Sequence, residues 1–453
     1  MAKVIKNLLI ERLDSLNIEK MAEETKFKQR SDQKIELKAF LVGFMVSFMA
    51  KSYSLNSWAA AISRFLGKTV TKQSLQEKFY ERHLQAVQAV LKAALCQRLR
   101  QGVQLEAVEI RKWKLFTAFR RVLIEDSTCQ KVDSSLCAVF PSTKDDKGEG
   151  IARMRIQTIY DLVGNAFVFL KLESFCQNDQ SAAENILSVA QEGDLILRDR
   201  GYFILEVLRK IMDSGVYFLS LWKPGVALLN FHTQKEINLA EDLRKTKGNE
   251  VDIPILLGKK TRIPVRLICL RLPNEVANSK RRKARENAPK KANHSEIYYE
   301  LLGWNIFVTN VPQTIWTVLQ ISFAYRVRWR IETIFKCWKS VWNFKDFALH
   351  TAILPGRIQV SMHIIFLQYA LMFDTIYNYF HEAVRQFHRS EGKKEKPMPE
   401  LSLLRTADFI RIYFNLLFQQ DDWEDFIPLF YQHATYENRK DRTNFENFTN
   451  YIN

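Results

Sequence analysis

Three carboxylates in this chain have the type and placement needed for chemistry on phosphate esters: Asp126, Asp199 and Glu332. Glu332 lies in the stretch YRVRWRIETIFKCWK, from Tyr325 to Lys339, as one acid among many cations. At about 100° per residue, a helix through this stretch puts Tyr325, Arg328, Glu332 and Lys339 within an arc of roughly 60°, with Lys336 beside it. Arg328 and Lys336 then flank Glu332 at the four-residue spacing where helical side chains meet. A solvated helix with weak surface ion pairs would look the same. The chemical alternative is an acid that holds a metal beside a phosphate backbone. Asp126 and Asp199 each follow a short apolar run at the carboxyl end of an expected strand, which is where open α/β sheets bind ligands. Either one alone could equally be a turn former or a helix cap. Brought together, three carboxylates can hold two Mg²⁺ ions, which prefer oxygen ligands and bridge the attacking and leaving oxygens of an in-line displacement. No His or Ser nucleophile is then required.

The elements that must position these residues can be read in order. Residues 1–110 are rich in Leu, Ala, Lys, Gln and Glu, lack Pro and show helical periodicity. Within them an apolar helix from Ser57 to Leu66, a break at Gly67-Lys68 and a polar helix from Thr71 to His83 suit a helix-turn-helix. Lys72, Gln73, Gln76 and Lys78 would then meet DNA, although paired short helices also occur in domains with no such role. Arg111 to Arg121, RKWKLFTAFRR, interleaves cations with aromatics. It fits a nucleic-acid groove or a half-buried strand with a charged outer face. Strands are expected at Val122-Leu123-Ile124, Met154 to Val163 and Phe167 to Leu172, the last two joined at Gly164-Asn165. A helix from Gln180 to Gln191, a strand from Asp194 to Arg198, a helix from Phe203 to Met212 and a strand from Val216 to Leu221 complete a mixed sheet with crossover helices. Further strands are expected at Ile253 to Leu257, Pro264 to Leu272 and Trp304 to Val311. The segment KRRKARENAPKK, from Lys280 to Lys291, reads as a solvated or phosphate-facing loop. From Leu349 onward the chain is helical and aromatic-rich, with a break at Glu391 to Pro399 and a polar tail from Asn438.

Composition narrows the function classes. The formal charge is +17, from 67 basic and 50 acidic residues, with 47% hydrophobic content. That describes a globular chain with an anionic partner such as nucleic acid. The apolar runs Leu41 to Ala50 and Ile364 to Phe373 fall short of the roughly 18 residues needed to span a bilayer. The first residues, MAKVIKNLLIERLD, do not read as a secretion signal. The six cysteines are scattered without C-x2-C spacing, as expected of thiols in a reducing compartment rather than of a zinc site.

With these residues assembled, the chain resembles the DDE transposases of bacterial insertion sequences, in the cut-and-paste branch marked by a Tyr-Arg-Glu-Lys helix. Tyr325, two residues, Arg328, three residues, Glu332, six residues and Lys339 match that signature. Asp126-Ser127-Thr128 matches the first acidic motif, and Asp199-Arg200-Gly201-Tyr202 the second. The resemblance implies an α/β fold, a ribonuclease-H-like mixed sheet flanked by helices. It implies a helical DNA-binding domain at 1–110, catalytic core at 111–222 and 304–360, a β-rich insertion at 223–303, and a helical C-terminal region at 361–453 that could serve dimerisation. Asp126, Asp199 and Glu332 would bind two Mg²⁺ ions, with Mn²⁺ as a substitute. Tyr325, Arg328 and Lys339 would hold phosphates of the transposon end, Trp304 would stack on a flipped base, and Lys336, beside the stripe, is expected to contact DNA with them. The implied reaction nicks the end with water, forms and reopens a hairpin, and joins the end to target DNA. The implied setting is a homodimer on terminal inverted repeats in the bacterial cytoplasm, at the nucleoid and away from membranes. Two alternatives are a DNA-binding derivative that has lost catalysis and a general nuclease on the same core.

Overall fold

An almost unbroken apolar sequence, LKAFLVGFMVSFM, makes Leu37–Met49 the central helix of the N-terminal region, with every residue except Lys38 and Val46 buried. The computed structural model describes residues 5–29, 34–101, 114–144, 150–287, 295–342, 344–350, 355–391, 401–419 and 426–435. Two compact units make up the chain. One is Met1–Glu109, Ser127–Gln177 and Arg330–Asn447, and the other is Ile110–Asp126, Asn178–Trp329 and Phe448–Asn453.

In the first unit, Leu37–Met49 packs against the helix Leu55–Leu66 so closely that a Cβ on Gly43 would fall 2.5 Å from Ile62 Cγ1. Ser54 Oγ caps Leu55–Leu66 by accepting from Ser57 N, and Gly67 ends it at φ 64°, a left-handed conformation that glycine adopts without strain. The second helix expected from Thr71 to His83 is two elements. Thr71 caps a five-residue helix, Lys72–Gln76, and a separate helix, Glu81–Gln101, follows. Burial of Lys78, whose ammonium donates to Phe27 O at 3.4 Å and sits over the Phe27 ring, turns the chain inward between them. Lys78 is therefore not a DNA reader. The same unit contains strands β2 (Pro141–Lys144), β3 (Gly150–Asp161) and β4 (Ala166–Ser174), numbered after β1 (Val122–Lys131). Strands β3 and β4 form the expected hairpin, with Asn165 at φ 48° in its turn. By length and composition the helical run Pro355–Ser390 could cross a membrane, but 88% of its apolar window is buried inside the protein, as befits a core helix. The expected break at Glu391 to Pro399, apart from Glu391, and the polar tail from Asn438 lie outside the described residues.

The second unit is built on strands in the order β1, β5 (Leu195–Arg198), β6 (Tyr217–Leu221), β10 (Trp304–Thr309), β9 (Ile263–Arg271), β8 (Glu250–Leu257) and β7 (Leu228–Asn230). Strands β1, β5 and β6 are parallel, and β10 runs antiparallel to both β6 and β9. The helix Leu205–Asp213 makes the crossover from β5 to β6, as a parallel connection requires. The strands expected in the insertion thus extend the sheet that carries β5 and β6.

Three local expectations change. No regular helix forms over Gln180 to Gln191; only a short 3-10 turn, Asn185–Ser188, is present. The carbonyls a helix would use are taken by side chains, since Arg198 Nη2 donates to Ala183 O at 2.7 Å and Arg121 Nη2 to Val189 O at 2.9 Å. Of Arg111 to Arg121, residues 111–113 lie outside the described residues, and the rest is a 3-10 turn, Lys114–Phe116, followed by Phe119 packed on Trp316 with ring centroids 4.9 Å apart. The basic segment beginning at Lys280 is helical through Glu286, in the helix Asn274–Glu286. Glu275 in its first turn and Lys283 and Arg285 in its last suit the helix dipole. Residues 288–291 lie outside the described residues.

Candidate active site

The ladder between β1 and β5 brings two of the acids together. Its register runs from Val122↔Leu195 to Glu125↔Arg198, and the residues that follow this last pair are Asp126 in β1 and Asp199, just past β5 and still extended at φ −79° and ψ 162°. Successive strand residues point to opposite faces, so the two aspartates share one face and Glu125 and Arg198 the other. Asp199 directly follows β5, as expected. Its Oδ2 then accepts from Gly201 N at 3.3 Å and caps the 3-10 turn Arg200–Tyr202. Asp126 differs from expectation, because β1 continues to Lys131 and leaves it in mid-strand. It is nonetheless the first residue beyond the β5-paired portion.

One guanidinium faces both acids. Arg328 Nη1 donates to Asp126 Oδ2 at 2.8 Å, and Arg328 Nη2 lies 3.9 Å from Asp199 Oδ1. The Asp126 side chain is 18% exposed and that of Asp199 41%, so this pair is reachable from solvent. Tyr325 sits beside them. Its hydroxyl donates to Arg198 O at 3.3 Å, its ring packs on Phe307, and burial pushes its phenol well up from the usual value. Two carboxylates converging on a shared positive charge form an all-oxygen donor set suited to a hard divalent cation, and Arg328 supplies the positive charge in this structure. Among the described residues, no three His, Cys, Asp or Glu side chains gather into a metal cluster.

The stretch from Tyr325 to Lys339 is not one helix. Tyr325 belongs to the helix Val318–Arg326, Arg328 to the turn after it, and Glu332 and Lys336 to the helix Trp329–Lys336. Lys339 lies in a π-helical segment, Cys337–Val341. The single stripe drawn at uniform helical spacing therefore does not hold. Tertiary partners set the break: Arg328 is drawn to Asp126, while Ile331 and Ile334 are buried. Glu332, Lys336 and Lys339 fall in the first unit, where Glu332 is half-buried and Lys336 exposed. Lys339 Nζ donates to Cys129 O on β1 at 2.9 Å, and burial pushes its ammonium down from the usual value.

The remaining expected contacts are scattered. Lys72, Gln73 and Gln76 are exposed on their five-residue helix. Trp304 is only 8% exposed at the start of β10, and the Arg271 guanidinium lies 4.3 Å from its ring centroid. It offers little open ring to a flipped base. Trp329, which adjoins Arg328, is 65% exposed, a placement that no sequence motif marks. Glu125 and Arg198 belong to no motif either, although each is the charged residue immediately before one of the two aspartates. That matching offset was the available signal.

Residues 117–354, just over half of the chain, match the family described as Transposase DDE domain. The transposase for insertion sequence element IS231C of Bacillus thuringiensis subsp. berliner is 25% identical over 425 residues, covering 89% of this chain and 84% of that protein. The transposase for IS231B from the same source is 30% identical over 249 residues, covering 50% and 51%. The transposase for IS1151 of Clostridium perfringens is 26% identical over 371 residues, covering 76% and 75%. A piggyBac transposase synaptic complex with hairpin DNA aligns over 97% of this chain and 85% of that chain at 8% identity, with a TM-score of 0.37, too low to argue from.

Proposed function

Since this chain belongs to the Transposase DDE domain family, we propose that Asp126, Asp199 and Glu332 form the active site with which this DNA transposase cuts the ends of an insertion sequence and joins them to target DNA. Family membership brings use of a divalent metal, and Mg²⁺, with Mn²⁺ as a substitute, is the ion proposed. The observation that carries the assignment is the pair Asp126 and Asp199, side by side on one sheet face and turned toward one cationic group. Glu332 completes the triad by its place in the Tyr-Arg-Glu-Lys signature.

When bound, the metal supplies the Lewis-acid charge that activates the attacking oxygen and stabilises the leaving one. The protein groups do the rest. Asp126 and Asp199 are held at fixed spacing by a sheet, the kind of rigid support that in-line displacement requires. Arg328 and Lys339, with the exposed Lys336, provide cations for the phosphates of the end, and Tyr325 adds a hydroxyl whose burial keeps it protonated and so able to donate. Trp329 offers an exposed aromatic face to a base, a better-placed candidate than the buried Trp304. Lys72, Gln73 and Gln76 are proposed as contacts within the helical region at 1–110. The core is proposed to be ribonuclease-H-like, and the acting form a homodimer on paired terminal inverted repeats, in the cytoplasm at the nucleoid. Cleavage is proposed to pass through a hairpin.

The test uses Asp199→Ala on cognate end DNA. End binding within about twofold of wild type together with loss of cleavage by at least about 100-fold is expected, the scale of removing a group that acts in the transition state. Unchanged strand cutting by the variant would sink the assignment. A wild-type protein that binds ends but never cuts them would instead identify a DNA-binding derivative.

A further inference from the structure

We infer that Glu125 and Arg198 are positioning residues for the reaction: their buried ion pair, on the sheet face opposite Asp126 and Asp199, fixes the spacing of those two carboxylates. The inference rests on the assignment of the two acids made above. Arg198 Nε donates to Glu125 Oε2 at 2.7 Å, with the two side chains 1% and 2% exposed. Each residue is covalently next to one of the acids, and the two are direct partners in the β1–β5 register. A second buried pair closes the other end of the same ladder. Arg121 Nε and Nη2 donate to Asp194 Oδ1 and Oδ2 at 3.0 and 2.5 Å, one step before Val122↔Leu195.

The polarity of the two pairs is reversed. At one end the residue just before β1 is the cation and the residue just before β5 the anion, and at the other end β1 contributes the anion and β5 the cation. A slide of one residue would turn every side chain to the wrong face. Sliding by four would set Arg121 against Arg198 in a dry interior, where like charges repel strongly. The ladder thus has one register that satisfies both ends, and that register places Asp126 beside Asp199.

Stability alone does not account for the pair at the acid end. A buried ion pair contributes little to folding unless its hydrogen-bonding capacity is fully used. Here, among the described residues, Glu125 Oε1 and Arg198 Nη1 have no hydrogen-bond partner. Arg198 also ties down the chain at Ala183 O, so its fork holds the end of β5 from two directions.

The experiment replaces both charges by apolar residues of similar volume, Glu125→Leu with Arg198→Met, an exchange that often leaves stability unchanged or improved. Melting temperature, end binding, Mn²⁺ titration by calorimetry and end cleavage are measured on the full chain. The expected result is a folded protein that binds ends but takes up Mn²⁺ about tenfold more weakly and cleaves about 100-fold more slowly, as a misplacement of about 1 Å would produce. Wild-type Mn²⁺ affinity and cleavage in the folded double variant would overturn the positioning role. Should that variant fail to fold, Arg198→Lys gives the answer. It keeps the charge but cannot serve Glu125 and Ala183 O together, so weaker Mn²⁺ binding supports the role and an unchanged titration overturns it. If Asp199→Ala also leaves Mn²⁺ binding and cleavage intact, the acids themselves are misassigned. If only the pair variants behave as wild type, the acids stand and the positioning role falls.

Discussion

Arg328 faces the two acids in this structure, and DNA phosphates are a further partner proposed for it. A charge-assisted hydrogen bond of the kind it makes to Asp126 contributes about 1.5–3 kcal/mol, and any cation entering between Asp126 and Asp199 has to displace it. Arg328→Gln should therefore tighten Mn²⁺ binding to the protein without DNA by about tenfold, the equivalent of about 1.4 kcal/mol, while weakening end binding. Calorimetry on the DNA-free variant reads the first effect, and an unchanged Mn²⁺ affinity would show that the guanidinium does not compete. Asp126, Asp199 and Glu332 could be singled out from residue type and flanking pattern, because an acid after an apolar run and a fixed Tyr-Arg-Glu-Lys spacing both survive in one dimension. The turn at Arg328 could not, since its cause is a partner far away in sequence. Glu125 and Arg198 were missed for a related reason: a charge next to a strand end resembles a solvated boundary until its burial is known.

Helical periodicity found the apolar helix before Gly67 and the long helix from Glu81, yet ran the second of them back through Lys72–Gln76. What separates them is the burial of Lys78, a tertiary effect that composition hides. The same small core holds His83, fully buried against Phe27. Burial, reinforced by Lys78 and Arg82, holds its imidazole down to about 3. The unfolded chain takes up this proton near the ordinary value of 6.5, whereas the folded chain does so only near 3. Unfolded molecules therefore bind more protons across that window, and stability is lost as pH falls through it, by up to about 1.4 kcal/mol per pH unit from this group. The melting temperature should drop between pH 7 and pH 5, and His83→Phe should flatten the drop. Equal slopes in the two proteins would assign the acid sensitivity elsewhere. The helix expected over Gln180 to Gln191 failed in a comparable way, since Arg198 at the end of β5 and Arg121 just before β1 claim its carbonyls.

For the molecule as a whole, a formal charge of +17 makes phosphate contacts the main source of affinity for any DNA. End binding followed by fluorescence anisotropy should weaken by about a thousandfold between 50 and 200 mM salt if six or more phosphates are neutralised. A flat response would exclude that mode of binding. The alternating elements at 111–222 already indicated a mixed sheet, and the structure adds that the strands of 223–303 continue it through β10. Strand counts survive in sequence, whereas pairing partners are chosen by hydrophobic faces that only meet in the fold.

The π-helical segment Cys337–Val341 has a consequence for how the Tyr-Arg-Glu-Lys signature should be compared between relatives. Its wider turn sends Trp338 into the core against Tyr369, ring centroids 4.5 Å apart, and leaves Lys339 reaching Cys129 O. A π turn is an α-helix with one residue too many for its pitch. Removing one residue at Cys337 or Trp338 would restore ordinary pitch while leaving the residues after it facing as they do here. A relative one residue shorter at this point could thus carry its lysine at the same place in space with a different count from the glutamate, and an alignment that enforced the count would mark an intact site as broken.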